Sequence, residues 1–409
     1  MSASRVSNQF IEKGTPEFRR TNLALFAAGF STFALLYCVQ PLMPEFSRDF
    51  HVSPAESSLS ISLTTGLLAV SMLAAGSISE AWGRKPMMVA ALFASAALTV
   101  ISALMPSWRG LLATRALEGI TFSGLPAIAM AYLSEEMGRD AIGLAMGLYI
   151  SGSGLGGMSG RLLTGILTDL VSWRFAIGSI GVLGLAAAFI FWRSLPPSRH
   201  FHANPLSTRV LLGSFARHLH DFGLVALFVE GFLLMGSFVT IYNYISYRLV
   251  ARPYNLSQTE VGLIFIVYLA GVGSSALVGD LAGRVGRRKV LWSMTLVMLS
   301  GVCMTFLSSL AAVITGIAVM TFGFFGGHSV ASSWVGLRAH SNKAQASSLY
   351  LFFYYLGSSL VGWTGGFFWA ASHWHGVAGF ISILLTLAFL LSLRLTAVQP
   401  LTRGVPAPP

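Results

Sequence analysis

Residues 76–85 read GSISEAWGRK and residues 279–288 read GDLAGRVGRR. Gly76, Gly83 and Arg84 thus return 203 residues later as Gly279, Gly286 and Arg287. Further along the offset is 201: Leu148-Tyr149 matches Leu349-Tyr350, Gly156 matches Gly357, and Gly165 matches Gly366. A repeat of about half the 409 residues implies one plan used twice. Each copy of the short basic stretch lies between long apolar runs, so the runs themselves decide the fold.

A membrane-crossing helix needs roughly 20 apolar residues to span about 30 Å of hydrocarbon. Windows without charge run over 21–44, 57–79, 86–108, 141–160, 175–192 and 261–279, and each fits one span. The windows 290–337 and 344–393 are twice as long and predict hairpins, turning near Ser308-Ser309 and at His373-Trp374-His375-Gly376. Two further spans carry charge: 110–132 with Arg115 and Glu118, and 222–247 with Glu230. The expectation is an all-α integral membrane protein with twelve transmembrane helices in two six-helix repeats. Only 10% of residues are charged, far below the ~25% of soluble domains. Two such repeats related by an axis along the membrane normal are the plan of transporters that rock around a central site.

Lysine and arginine in the loops orient such a chain. With the first residues inside, 19 of the 26 basic side chains fall on inner segments, against Arg48, Arg109, Arg174, Arg248 and Arg252 outside. Both termini are therefore expected to be cytoplasmic. The division predicted is an inner tail over 1–20, a bundle over 21–193, a cytoplasmic linker over 194–221, a bundle over 222–396 and a tail over 397–409. The linker is amphipathic around Val210-Leu211-Leu212, which suits the inner membrane surface. A net charge of +11 is spread in short clusters, not one stripe, and so does not indicate nucleic acid. Cys38 and Cys303 lie in apolar runs and read as plain core thiols.

At these residues the chain resembles the major facilitator superfamily. GSISEAWGRK is similar to its loop signature GxLxDRxGRR, LLATRALEGITFSG to its fourth-span pattern with RxxQG, and GMSGRLLTGILTDLVSWR to its fifth-span pattern GxxxGPxxGG. The resemblance covers nearly the whole chain and points to drug-efflux-like members. It departs in four places, one of them Thr164, which replaces the first paired glycine of the fifth-span pattern. Glu80 stands for the usual loop Asp, Gly283 takes that acidic place in the second copy, and Arg161 stands where the fifth-span pattern has proline.

The resemblance implies a gate at the cytoplasmic loops. Of the loop residues Gly76, Glu80, Gly83, Arg84 and Lys85, Glu80 and Arg84 would pair with Glu135 and Glu136 at the end of span four in the outward-open state and separate in the inward-open one. The second copy offers Gly279, Gly286, Arg287 and Arg288. The plainer reading of both loops is ordinary inner-side basic charge.

Charges inside spans are the better pointer to a substrate or proton path, because each costs roughly 2.5–3.5 kcal/mol to insert. Arg115 and Glu118 are three apart on one helix face and can pair, either as a structural unit or as part of the path. Glu230 lies about 12 Å along the seventh span and is the first choice for a proton-coupling group. His328 is the second, since imidazole ordinarily titrates near neutrality. Tyr37, Gln40 and Asn243 would add neutral hydrogen bonds. Arg161 ends an uncharged run and faces Gly362 in the repeat. It either snorkels to the outer surface or faces the cavity, there to hold an anion or to pair with Glu118 or Asp169. The glycines Gly152, Gly154, Gly156, Gly157 and Gly160 read as a helix-packing stripe.

No GxxxxGK[ST], HExxH or CxxC occurs, so no catalytic residue, metal site or cofactor is expected. The expected function is alternating-access secondary transport in a bacterial inner membrane, with proton-coupled efflux of small molecules or drugs as first reading. Uptake of a sugar or organic anion is the second, and a non-transporting receptor or scaffold the third. Expected partners are a small-molecule substrate, protons and the lipid bilayer, without nucleic acid, and the chain is expected to act as a monomer.

Overall fold

The computed structural model describes residues 10–138, 140–201, 208–339 and 342–397. The ends of both expected tails and residues 202–207 of the expected linker lie outside these, as do the side chains of Val210 and Leu211. In the first half, α1 (Pro16–Tyr37) continues through a 3₁₀ turn (Gln40–Leu42) into α2 (Met43–Phe50). There follow α3 (Pro54–Trp82), α4 (Arg84–Leu104), α5 (Trp108–Phe122), α6 (Pro126–Glu136), α7 (Ile142–Leu170) and α8 (Trp173–Ser194). The short α9 (Thr208–Leu219) leads into the second half. That half holds α10 (Phe222–Val250), α11 (Gln258–Ile264), α12 (Tyr268–Val285), α13 (Arg287–Met304), α14 (Leu310–Arg338) and α15 (Lys343–Ala397).

Local chemistry sets these limits. Ser53 and Ser257 each start a helix with a full capping box, closed by Glu56 and Glu260, at equivalent places in the two halves. Pro41 cannot donate a backbone hydrogen bond, so the first span breaks there and turns Gln40 out of the helical ladder. Pro126 separates α5 from α6 in the same way. Within α15 the chain leaves helical geometry at Ser372 and His373 (φ +50°), which bends it into two spans at the expected place. Gly83 and Gly286 have φ of +92° and +102°, a region that disfavours any side chain, so the repeated loop glycine is required by the backbone.

Among the described residues, nine helical stretches are long and apolar enough to cross a membrane, one of them the doubled α15. The glycine-rich α7 and the basic-ended α13 run beside them. Large apolar side chains such as Leu104, Leu183, Ile383 and Leu387 stay exposed, which is costly in water and neutral in lipid.

The core shows how the halves meet. One apolar cluster runs through both halves and includes Leu36, Phe46, Tyr242, Ile245, Phe265 and Trp374. Two others are private: one in the first half around Phe18, Met88, Tyr132 and Phe191, and one in the second around Phe228, Leu291, Val335 and Leu395. The private cores lie at the end of the molecule where α8 ends and α10 begins, here the linker end. The shared core lies at the opposite end.

Glycines trace the same splay. A Cβ on Gly165 would sit 2.4 Å from the Gln258 carbonyl oxygen, and one on Gly366 would sit 2.3 Å from Ala55 Cα. These are the same contact made twice, α7 on α11 and α15 on α3. Nearer the linker end, Cβ atoms on Gly143, Gly147, Gly76 or Gly283 would meet nothing within 4 Å. The halves are therefore pressed together at the opposite end and part toward the linker.

Candidate substrate and coupling site

At the break in the first span, Gln40 is buried against the second half, and its Nε2 donates to Asn243 Oδ1 at 2.7 Å. The two residues are 203 apart and thus repeat-equivalent. The other face of the same amide is taken by Arg161, whose Nε donates to Gln40 Oε1 at 2.6 Å. Arg161 Nη1 donates to the Gly157 carbonyl at 2.6 Å, and the guanidinium lies 4.2, 4.8 and 5.2 Å from the rings of Tyr37, Tyr268 and Phe265. With 1% of its surface exposed, Arg161 does not snorkel.

Nor does it pair with the acids considered for it. Glu118 is joined to Arg115 and accepts from Ser102 Oγ at 2.9 Å. Asp169 crosses to the second half, where it accepts from the backbone N–H groups of Gln258 (3.2 Å) and Thr259 (2.6 Å) and so caps α11. The Asp169 cap, with the Ser359 hydroxyl donating to the Ser62 carbonyl at 2.6 Å, belongs to the seal at the opposite end.

Arg115 serves the break itself. It donates to the Ser60, Leu35 and Leu36 carbonyls at 2.9, 3.3 and 2.7 Å. Leu35 and Leu36 lie in the last turn of α1, where carbonyls lose their helical partners. Arg115 and Glu118, both fully buried, thus hold the end of α1 and with it Gln40. Their place is inside the first half.

In the second half, Glu230 Oε1 accepts from Thr295 Oγ1 at 3.1 Å, while Oε2 is buried without a partner. A Cβ on the adjoining Gly231 would lie 2.7 Å from the Tyr350 ring. Tyr350 Oη shares a 2.9 Å hydrogen bond with His328 Nδ1, and the His328 ring lies 4.6 Å from that of Tyr354. Phe33, Phe325, His328 and Tyr354 are half-buried; the Phe33 ring lies 6.2 Å from that of Tyr37 and the Phe325 ring 5.8 Å from that of Tyr268, the two tyrosines that flank Arg161.

At the linker end, Arg84 grips Glu135 with Nη2 at 2.7 Å and Nε at 3.2 Å, donates to Ser79 Oγ at 2.6 Å, and lies 3.7 Å from Glu80. Lys85 donates to the Leu195 carbonyl. Glu136 accepts the backbone N–H groups of Arg199 (2.7 Å) and His200 (2.9 Å). All these partners belong to the first half and its linker, and they are made while the halves stand apart at this end. In this form the ion pair joins α3, α4 and α6 within one half. In the second copy Arg288 donates to the Thr396 carbonyl at 3.0 Å, and Arg287 Nε is buried without a partner, as Gly283 supplies no acid. Asp221, which caps α10, feels two opposed effects. Burial pushes its carboxyl up, but the Arg338 guanidinium at 2.7 Å and the N–H groups of Leu224 and Gly223 outweigh this and hold it below its ordinary range. The stability it gives is present above that range and is lost as pH falls through it.

Sequence reading passed over Tyr268, Phe265, Tyr350, Tyr354 and Thr295. Pro41 was the available signal for the break that exposes Gln40; nothing local marks the aromatic residues, which are gathered from three helices.

The family model described as Major Facilitator Superfamily matches residues 25–249 and again 227–408. The chain is 52% identical to the uncharacterized MFS-type transporter YybF of Bacillus subtilis, over 94% of this chain and 95% of that one. It is 51% identical to the inner membrane transport protein YnfM of Escherichia coli, over 95% and 93%. Among solved structures it is similar to a bacterial homolog of the human lysosomal transporter Spinster, in an inward-facing and unoccupied conformation (TM-score 0.79, 14% identity, 96% of this chain and 100% of that one). It is also similar to the nucleoside transporter NupG (TM-score 0.77, 13% identity, 92% and 99%). At these identities the two structures attest the fold alone.

Proposed function

Because the chain belongs to the major facilitator superfamily, we propose that it is a proton-coupled exporter of small molecules that alternates between forms open at either end. Secondary transport itself follows from the family; direction, coupling and cargo are the proposal. One observation carries it: the halves share a core at one end and keep private cores at the other. Such a contact is one of two repeat-related ways of closing the same molecule. The bias of basic loop residues supports a cytoplasmic linker end and cytoplasmic termini. The form described is then inward-facing. The relative YnfM is called an inner membrane protein, which supports the same membrane here. The proposed architecture is the two six-helix bundles, 21–193 and 222–396, acting as rocking bodies.

For coupling, Glu230 is the assigned carrier. It is a buried carboxyl with one oxygen unengaged, and His328 and Tyr350 stand between it and the half-buried aromatic residues. The test uses everted vesicles with an imposed pH gradient and three probes: ethidium, chloramphenicol and benzoate. Glu230→Gln is expected to abolish pH-driven flux of a transported probe and to keep its counterflow. Undiminished pH-driven flux in the variant removes Glu230 from the role. A second reading, uptake of an organic anion, is favoured by the buried Arg161.

A further inference from the structure

Among the described residues three arginines are buried in the first half, Arg84, Arg115 and Arg161, and Glu135 neutralises the first of them. Arg115 has Glu118 beside it. Arg161 takes part in no ion pair among the described residues. An ion buried without a counter-charge is expensive, and such residues inside spans mark ligand paths.

The hydrogen-bond directions extend the point. Gln40 Oε1 is spent on Arg161, so Gln40 turns its Nε2 to Asn243 Oδ1. Asn243 is thereby left with Nδ2 as its outward group, and that nitrogen is fully buried with no partner. A guanidinium carries five N–H donors, of which Gln40 and Gly157 engage one each. The site therefore has donors and positive charge in excess; the buried Tyr268 and Ser62 hydroxyls are neutral acceptors beside it, and it lacks an anionic one. Gly362, where the first half has Arg161, preserves this. A Cβ there would sit 3.2 Å from Asn243 Nδ2 and would cover it.

We propose that Arg161 and the Asn243 amide hold the carboxylate of the transported molecule, and that the cargo is a small aromatic carboxylate. This rests on the transporter reading above. A carboxylate is an acceptor-only group with two oxygens, which matches one guanidinium and one amide. The body of the molecule falls among Phe33, Phe325, His328 and Tyr354, whose half-buried rings line the approach from the linker end.

The test is made on the full chain in lipid nanodiscs, with benzoate, phenylacetate and 3-phenylpropionate against their amides. At least one acid is expected to raise the melting midpoint at concentrations roughly tenfold lower than its amide, the value of one charge-assisted contact. Arg161→Gln is expected to remove the difference. Asn243→Asp, which puts a carboxylate of the protein's own beside Arg161, is expected to remove it too and decides the matter if the first variant does not fold. Equal effects of acids and amides, or an acid effect that survives Asn243→Asp, overturn the anion site. Binding is read without transport, so acid-specific stabilisation without acid counterflow in proteoliposomes would leave the site standing and overturn the transporter reading.

Discussion

Arg115 and Arg161 are alike in type and burial and differ in what they hold. Arg115 closes carbonyls of the last turn of α1, and Glu118 balances its charge. Its loss leaves a buried carboxylate and two unserved carbonyls at once. Arg115→Leu is expected to destabilise the protein by about 3–5 kcal/mol, read as a lowered midpoint of denaturant unfolding in mixed micelles. Arg115→Leu with Glu118→Leu is expected to recover more than half of that, because the stranded charge goes too; a double variant no better than the single would contradict the pairing. Sequence reading paired these two because they are three apart on one helix. It could not settle Arg161, whose partner Gln40 lies 121 residues away and is available only because the first span breaks.

Among elements, the glycine stripe of α7 serves two neighbours. Gly152, Gly156 and Gly160 let α7 lie against the backbone of α1 at Phe26, Phe30 and Ala34, while Gly165 meets α11 across the halves. The first contact lies within one half, and the second joins the two halves that the proposed function has rocking apart. Gly165→Val is therefore expected to leave the fold intact and to shift the population away from closure at the opposite end. The measure is faster labelling of a cysteine placed at the buried Ser62 by a membrane-impermeant maleimide. Gly273→Val, at a position where a Cβ meets nothing within 4 Å, should leave the rate unchanged. Equal rates in all three proteins would argue against Gly165 as a closure contact. The spans and the repeat were legible because apolar length and recurring glycines are local signals. The paired capping boxes at Ser53 and Ser257 were equally local. The Asp169 cap on α11 was not, because its two partners share no sequence neighbourhood.

For the molecule as a whole, closure at one end and opening at the other must be coupled if the halves move as bodies. A Cβ on Gly66 would lie 3.4 Å from Ser359 Cβ, close to the separation a disulfide needs. In a Cys303→Ser background, Gly66→Cys with Ser359→Cys is expected to cross-link on oxidation, to stop transport, and to regain it with reductant. Full transport through the cross-linked protein would exclude rocking of the two halves. Neither sequence nor repeat told which end is shut, because both closures use the same helices; the shared core decides it. One difference between the halves remains, Arg161 in the first against Gly362 in the second, on either side of the matched Gln40 and Asn243. A chamber with two-fold linings would accept a cargo in two equivalent poses, head toward one half or the other. With the cargo's carboxylate on Arg161 as proposed, that degeneracy is lost, each passenger rides in a single orientation, and the same end of it leads on every crossing.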